Sequence, residues 1–144
     1  MRVLIVDGHS MIFAWAELRA LHAKRNVLAR DALVKRLTEF QDFSGIHVVA
    51  VFDGKGAKAS EATQPGGIQI FYSRAGQTAD EIVERLVARY ANAHDITVAT
   101  DDHLEEQTAL SFGATCISSD GLRAQLEDSR ENFQRELKKR GRKK

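Results

Sequence analysis

The chain has 144 residues, with 21 Lys and Arg against 20 Asp and Glu. Its 43% hydrophobic and 28% charged residues are the composition of one ordinary folded domain, which excludes a disordered chain, and its apolar runs are far too short for a membrane span. A lone cysteine, Cys116, excludes an internal disulfide, and residues 1–6 are too short for a secretory core, so an intracellular, cytoplasmic protein is expected.

Short apolar runs alternate with helical patterns. Residues 2–6 read as a strand ending at Asp7-Gly8. A helix is predicted over 10–24, capped by Ser10, with Ile12, Trp15, Ala16 and Leu18 inward. A second helix is predicted over 29–43, with Leu33, Val34, Leu37 and Phe40 on one face. Residues 46–52 are the next strand, ending at Asp53-Gly54. Residues 54–67 hold four glycines and the only proline, and read as a long flexible loop carrying Lys55 and Lys58. Residues 68–72 suit an edge strand, followed by Arg74. Thr78 and Glu81 form a capping box for a helix to about residue 94, with Ile82, Val83, Leu86, Val87 and Tyr90 as its apolar face. A strand over 96–100, a helix over 104–112 and a strand over 114–118 follow. The last helix is predicted over 121–139, with Leu122, Leu126, Phe133 and Leu137 inward. The last seven residues hold six cations, Lys138, Lys139, Arg140, Arg142, Lys143 and Lys144; without them the body has 15 basic and 20 acidic side chains. Residues 1–137 are thus read as one domain and 138–144 as a solvated, mobile basic tail.

Five strands separated by helices imply an α/β fold of three layers, a five-stranded parallel sheet with helices on both faces. Ligands of such sheets bind beyond the C-terminal strand ends. Asp7, Asp53, Asp101, Asp102 and Asp120 map to that rim, and Asp80 lies in the first turn of a helix facing it. Gathered carboxylates repel unless they share a cation, and an oxygen-rich set suits Mg²⁺ or Mn²⁺, ions that promote phosphoryl displacement. Asp also favours caps and turns, so Asp7-Gly8 and Asp53-Gly54 are equally readable as turn chemistry. Asp102 with Glu105 three residues on also reads as a helix cap. Other phosphate chemistries lack their residues. There is no Gly-x-Gly-x-x-Gly or P-loop after the first strand and no Asp-x-Asp pair. No lysine follows the last strand, and no nucleophilic triad or zinc pattern appears.

Leu4-Ile5-Val6-Asp7-Gly8-His9-Ser10-Met11-Ile12, Val51-Phe52-Asp53, Gln77-Thr78-Ala79-Asp80-Glu81 and Val98-Ala99-Thr100-Asp101-Asp102 stand in the order of a YacP-like NYN domain, with Gly113-Ala114 after the last. The likeness spans about residues 2–126 and resembles the PIN-like endoribonucleases. It implies a Rossmann-like PIN/NYN sheet and divalent-metal cleavage of RNA, leaving a 5′-phosphate and a 3′-hydroxyl. Matched residue by residue, Asp7, Asp80 and Asp102 would be the catalytic and metal-binding acids, with Asp101 and Asp53 as further candidates. Ser10 stands where the family usually has asparagine.

Ser10, Lys55, Lys58, Arg74, Lys138, Lys139 and Arg140 are the candidate RNA contacts, against a plain reading as solvated side chains. His9 and His103 adjoin the acids and read as solvent-facing. Phe13 and Trp15 read as core more readily than as base-stacking groups. The expected activity is a metal-dependent endoribonuclease acting on RNA. The alternatives are a non-catalytic RNA- or ribosome-binding module on the same fold, and a small-molecule phosphohydrolase.

Overall fold

The structure, a computed structural model, describes residues 1–54, 62–63, 67–74 and 76–142. Strands β1 (Arg2–Asp7), β2 (His47–Phe52), β3 (Ala62–Thr63), β4 (Gln69–Tyr72), β5 (Asp95–Ala99) and β6 (Thr115–Ile117) form one sheet in the order β3-β4-β2-β1-β5-β6. Five of these strands run parallel, matching the sequence expectation. The sixth, β3, pairs antiparallel with β4 at the edge, inside the stretch read as loop. Lys55 and Lys58 of that stretch lie outside the described residues.

Strand side chains alternate between two cores, as a period of two requires. Leu4, Val6, Val48, Ala50, Phe52, Ile70 and Ala99 face one layer; Ile5, Val49, Val51, Ile96 and Val98 face the other. The first layer holds α1 (Gly8–Ala14), α2 (Ala16–Lys24), α3 (Asn26–Ser44) and α6 (Ser119–Arg142). The second holds α4 (Ala79–Tyr90) and α5 (His103–Ser111). A parallel sheet covered on both faces reads as near-continuous apolar strands, which is why β1 and β2 were legible.

The helix predicted over 10–24 is two helices. Asp7, not Ser10, caps the first, and Trp15 separates them with φ −90° and ψ 120°. Trp15 is 1% exposed, and its indole N–H donates to the Ser119 carbonyl at 3.2 Å. The Arg36 and Arg123 guanidinium groups lie 5.0 and 5.6 Å from its ring centre, and Glu17 pairs with both at 3.2 and 2.7 Å. Bringing the indole under α6 requires the bend. Phe13, expected in the core, is 41% exposed instead.

β1 leads into the helices of one face, and β5 leads into α5 on the other. The crevice between their C-terminal ends is therefore the switch point of the sheet. From that rim α6 runs back along the sheet. Leu122 and Leu126 are in the core, and Phe133 stacks on Phe43 near the end of α3. Residues 138–142, read as a mobile tail, continue this helix. Lys138, Lys139 and Arg140 are exposed on it, about 28 Å from its start by helical rise. No helix among the described residues is long and apolar enough to cross a membrane.

Candidate metal centre

Asp7 ends β1 and caps α1. It is 3% exposed. The hydroxyls of Ser10 and Thr100 both donate to its Oδ2, at 2.9 and 3.2 Å, and the Ser10 amide lies 3.5 Å from Oδ1. Gly8 follows because a Cβ there would sit 2.5 Å from the Phe52 ring; close packing, rather than turn geometry, asks for glycine. Burial pushes the Asp7 carboxyl above its ordinary value; the Ser10 hydroxyl works against that shift, and the nearby charge of Asp80 adds to it.

Asp80 reaches the same place from α4. The capping box read from sequence is half realised here: Thr78 accepts the Glu81 amide at 3.2 Å, which starts α4 and sets Asp80 in its first turn. Asp80 is exposed.

The third acid is Glu105, on α5. It is 5% exposed, and among the described residues neither carboxylate oxygen has a hydrogen-bond partner at bonding distance; the nearby Thr100 hydroxyl, which works to lower the carboxyl, donates to Asp7 instead. One ligand oxygen from each of Asp7, Asp80 and Glu105 lies within 4.8 Å of the others. Glu105 and Asp80 are close enough to share a hydrogen bond only if one is protonated. Burial first, then the neighbouring Asp80 and the Asp7 charge, push Glu105 up to about 10. An isolated buried carboxylate is costly, so such a group either stays protonated or takes a cation. A cavity of about 110 Å³ between α4 and α5, lined by Asp80, Glu105, Leu104 and Thr108, adjoins it. The donor set is three carboxylates, all hard oxygen, which fits Mg²⁺ or Mn²⁺ rather than a thiolate-loving ion.

Two of the three acids matched by resemblance, Asp7 and Asp80, thus come together; Asp102 is not in the group. Asp102 caps α5, with Oδ1 accepting the Leu104 and Glu105 amides at 2.9 and 3.3 Å. The reciprocal half of that capping box is missing. The Asp102 amide donates to the Thr100 hydroxyl at 3.1 Å, which leaves Glu105 turned towards Asp7 and Asp80. Asp101 directs both oxygens at Ser119, accepting its amide at 2.8 Å and its hydroxyl at 2.6 Å, and so anchors α6. Asp53, at the end of β2, accepts the Ser73 hydroxyl at 3.1 Å and stands outside the group. Asp120 lies exposed in the first turn of α6.

Ser10 joins these parts. Besides donating to Asp7, its hydroxyl accepts the Asp101 amide at 3.1 Å. The shorter side chain still ties the ends of β1 and β5 together. Arg74 is exposed after β4. His9 and His103 are exposed in the first turns of α1 and α5.

The model of the YacP-like NYN domain matches residues 4–144. A relative in Bacillus subtilis (strain 168), named "Uncharacterized protein YacP", is 33% identical over 141 residues, covering 96% of this chain and 83% of its own. The crystal structure of Rae1 (YacP) from Bacillus subtilis superposes with a TM-score of 0.80 at 33% identity, covering 96% of this chain and 81% of that one. A tryptophan-to-leucine mutant of the same protein gives a TM-score of 0.82 at 31% identity, with 96% and 83% covered.

Proposed function

We propose that this chain, which belongs to the YacP-like NYN domain family, is a divalent-metal-dependent endoribonuclease whose metal is held by Asp7, Asp80 and Glu105. The observation that carries this reading is the Glu105 carboxylate. It is buried, has no hydrogen-bond partner among the described residues, and lies against two further carboxylates. The nuclease-like fold of the family and the acidic rim at the switch point supply the context.

Bound Mg²⁺ or Mn²⁺ would supply Lewis-acid stabilisation of a phosphoryl group and a nucleophile at neutral pH. The chain's own residues do the rest. The Ser10 and Thr100 hydroxyls, both donating to Oδ2, fix the Asp7 carboxylate and favour its charged form against the burial that pushes the carboxyl up. Asp102 starts α5 and so aims Glu105; it is a positioning residue in this reading. The N-termini of α4 and α5 point at the acids and offset part of their mutual repulsion. Arg74 and the cations of α6 attract the phosphate backbone, with RNA as the partner.

The test is cleavage of an internally labelled RNA panel with Mn²⁺, with and without chelator. Metal-dependent fragments with 5′-phosphate and 3′-hydroxyl ends are expected from the parent, and none from Glu105→Gln. RNA binding without metal-dependent cleavage would instead favour the non-catalytic module. Release of phosphate from small esters, with RNA untouched, would favour the phosphohydrolase.

A further inference from the structure

Three aromatic rings form a ladder that begins beside the acids and belongs to no core. His9 and Phe13 are four residues apart on α1, hence on one face, with ring centres 4.5 Å apart. His22 of α2 lies edge-on to Phe13, with ring centres 4.8 Å apart. His9 and Phe13 are exposed, and Phe13 is absent from both apolar clusters. The Arg19 guanidinium donates to the Phe13 backbone carbonyl at 3.1 Å, which holds a cation at the same turn of chain as the ring. The His22 Nδ1 is buried with no hydrogen-bond partner among the described residues. The ladder starts two residues from Asp7, on the helix that Asp7 caps.

Exposed aromatic faces interleaved with a cation are what unpaired bases recognise. Stacking tolerates any base, while a duplex keeps its bases inside. A lone exposed phenylalanine needs no explanation; three rings in mutual contact, with a cation held at the Phe13 carbonyl, have the make-up of a stacking surface. We propose that His9, Phe13 and His22 form a base-stacking platform that positions single-stranded RNA at the acidic rim, with Arg19 meeting its phosphates. This rests on the endoribonuclease reading for its substrate class. It adds that the RNA is single-stranded, that it runs along α1 and α2, and that the platform is indifferent to sequence.

The test is equilibrium binding of a fluorescent single-stranded RNA octamer in chelator, so that no cleavage intervenes. Phe13→Leu keeps the volume at an exposed site and removes the π-face; Phe13→Trp restores it. Phe13→Leu should weaken binding about tenfold, and Phe13→Trp should recover it. An octamer with one abasic nucleotide should lose affinity for the parent and lose less for Phe13→Leu. A duplex of the same sequence should bind parent and variant alike. Equal affinity of Phe13→Leu and parent for the octamer overturns the platform, as does an abasic penalty that persists undiminished in the variant. Cleavage with Mn²⁺ is scored separately. Phe13-dependent binding by a parent that cuts nothing sinks the nuclease and keeps the platform. Metal-dependent cleavage with KM unchanged in Phe13→Leu does the reverse.

Discussion

Glu105 is the residue on which the site turns, and its sequence neighbourhood hides it. Three positions after Asp102 at a helix start, it has the signature of a capping box, and a capping glutamate reaches back to its own cap. Here the Thr100 hydroxyl takes the amide that Glu105 would have taken. The only local hint was a glutamate on the first turn after a rim strand. Asp7 and Asp80 were legible because strand ends and capping motifs are short-range signals; a carboxylate's partner across two helices is not. The same limit applies to Asp101 and Asp102, adjacent in sequence yet aimed at α6 and α5. Asp102→Asn keeps a good cap, so it should retain metal-dependent cleavage within about tenfold, whereas Glu105→Gln should lose more than about 100-fold. Comparing initial rates of the two folded variants checks this.

Glu105 also makes stability depend on pH. Its carboxyl titrates at its ordinary value of 4.5 when unfolded and at about 10 in the fold. Between those values the folded chain keeps a proton that the unfolded chain has lost. Its contribution to stability is therefore full below about pH 4.5 and is lost as pH rises towards 10. Glu105→Gln is uncharged throughout. In chelator its melting temperature should exceed that of the parent by a margin that widens from about pH 6 to pH 9. A margin constant over that range would contradict the buried, metal-free carboxyl.

At the scale of elements, the strands were read within a residue or two, because a sheet buried on both faces leaves apolar runs in the sequence. The break at Trp15 was not readable. No glycine or proline marks it, and its cause is a contact with Ser119, 104 residues on. The two-residue β3 was hidden for the same reason, being specified only by the edge of β4 that it meets. Trp15 joins α2, α3 and α6 through its indole and the Arg36–Glu17–Arg123 cluster around it. Trp15→Ala should therefore cost about 3–5 kcal/mol in urea unfolding. A loss under about 1 kcal/mol would show that the clamp contributes little. Thr78→Ala, by contrast, should cost only about 1 kcal/mol, the loss of one helix cap.

Across the whole molecule, the acids and the basic helix end sit at opposite ends of the sheet. Composition displayed the asymmetry of charge; the direction of α6, which separates the two by most of its 24 residues, needed the fold. If the proposed endoribonuclease reading holds, Lys138, Lys139 and Arg140 would meet RNA at a distance from the acids. Truncation after Leu137 should flatten the salt dependence of RNA binding and leave turnover at saturating RNA unchanged. A fall in saturated turnover with the fold intact would mean that the helix end reaches the reacting phosphate.

The most direct measurement is anomalous difference density from crystals of the parent soaked in Mn²⁺. The result expected is a peak bonded to carboxylate oxygens of Asp7, Asp80 and Glu105, at about the 2.0–2.2 Å of metal–carboxylate bonds, and absent from Glu105→Gln crystals soaked in the same way. A site empty at saturating Mn²⁺, or a peak held by Asp102 with Glu105 turned away, would contradict the account.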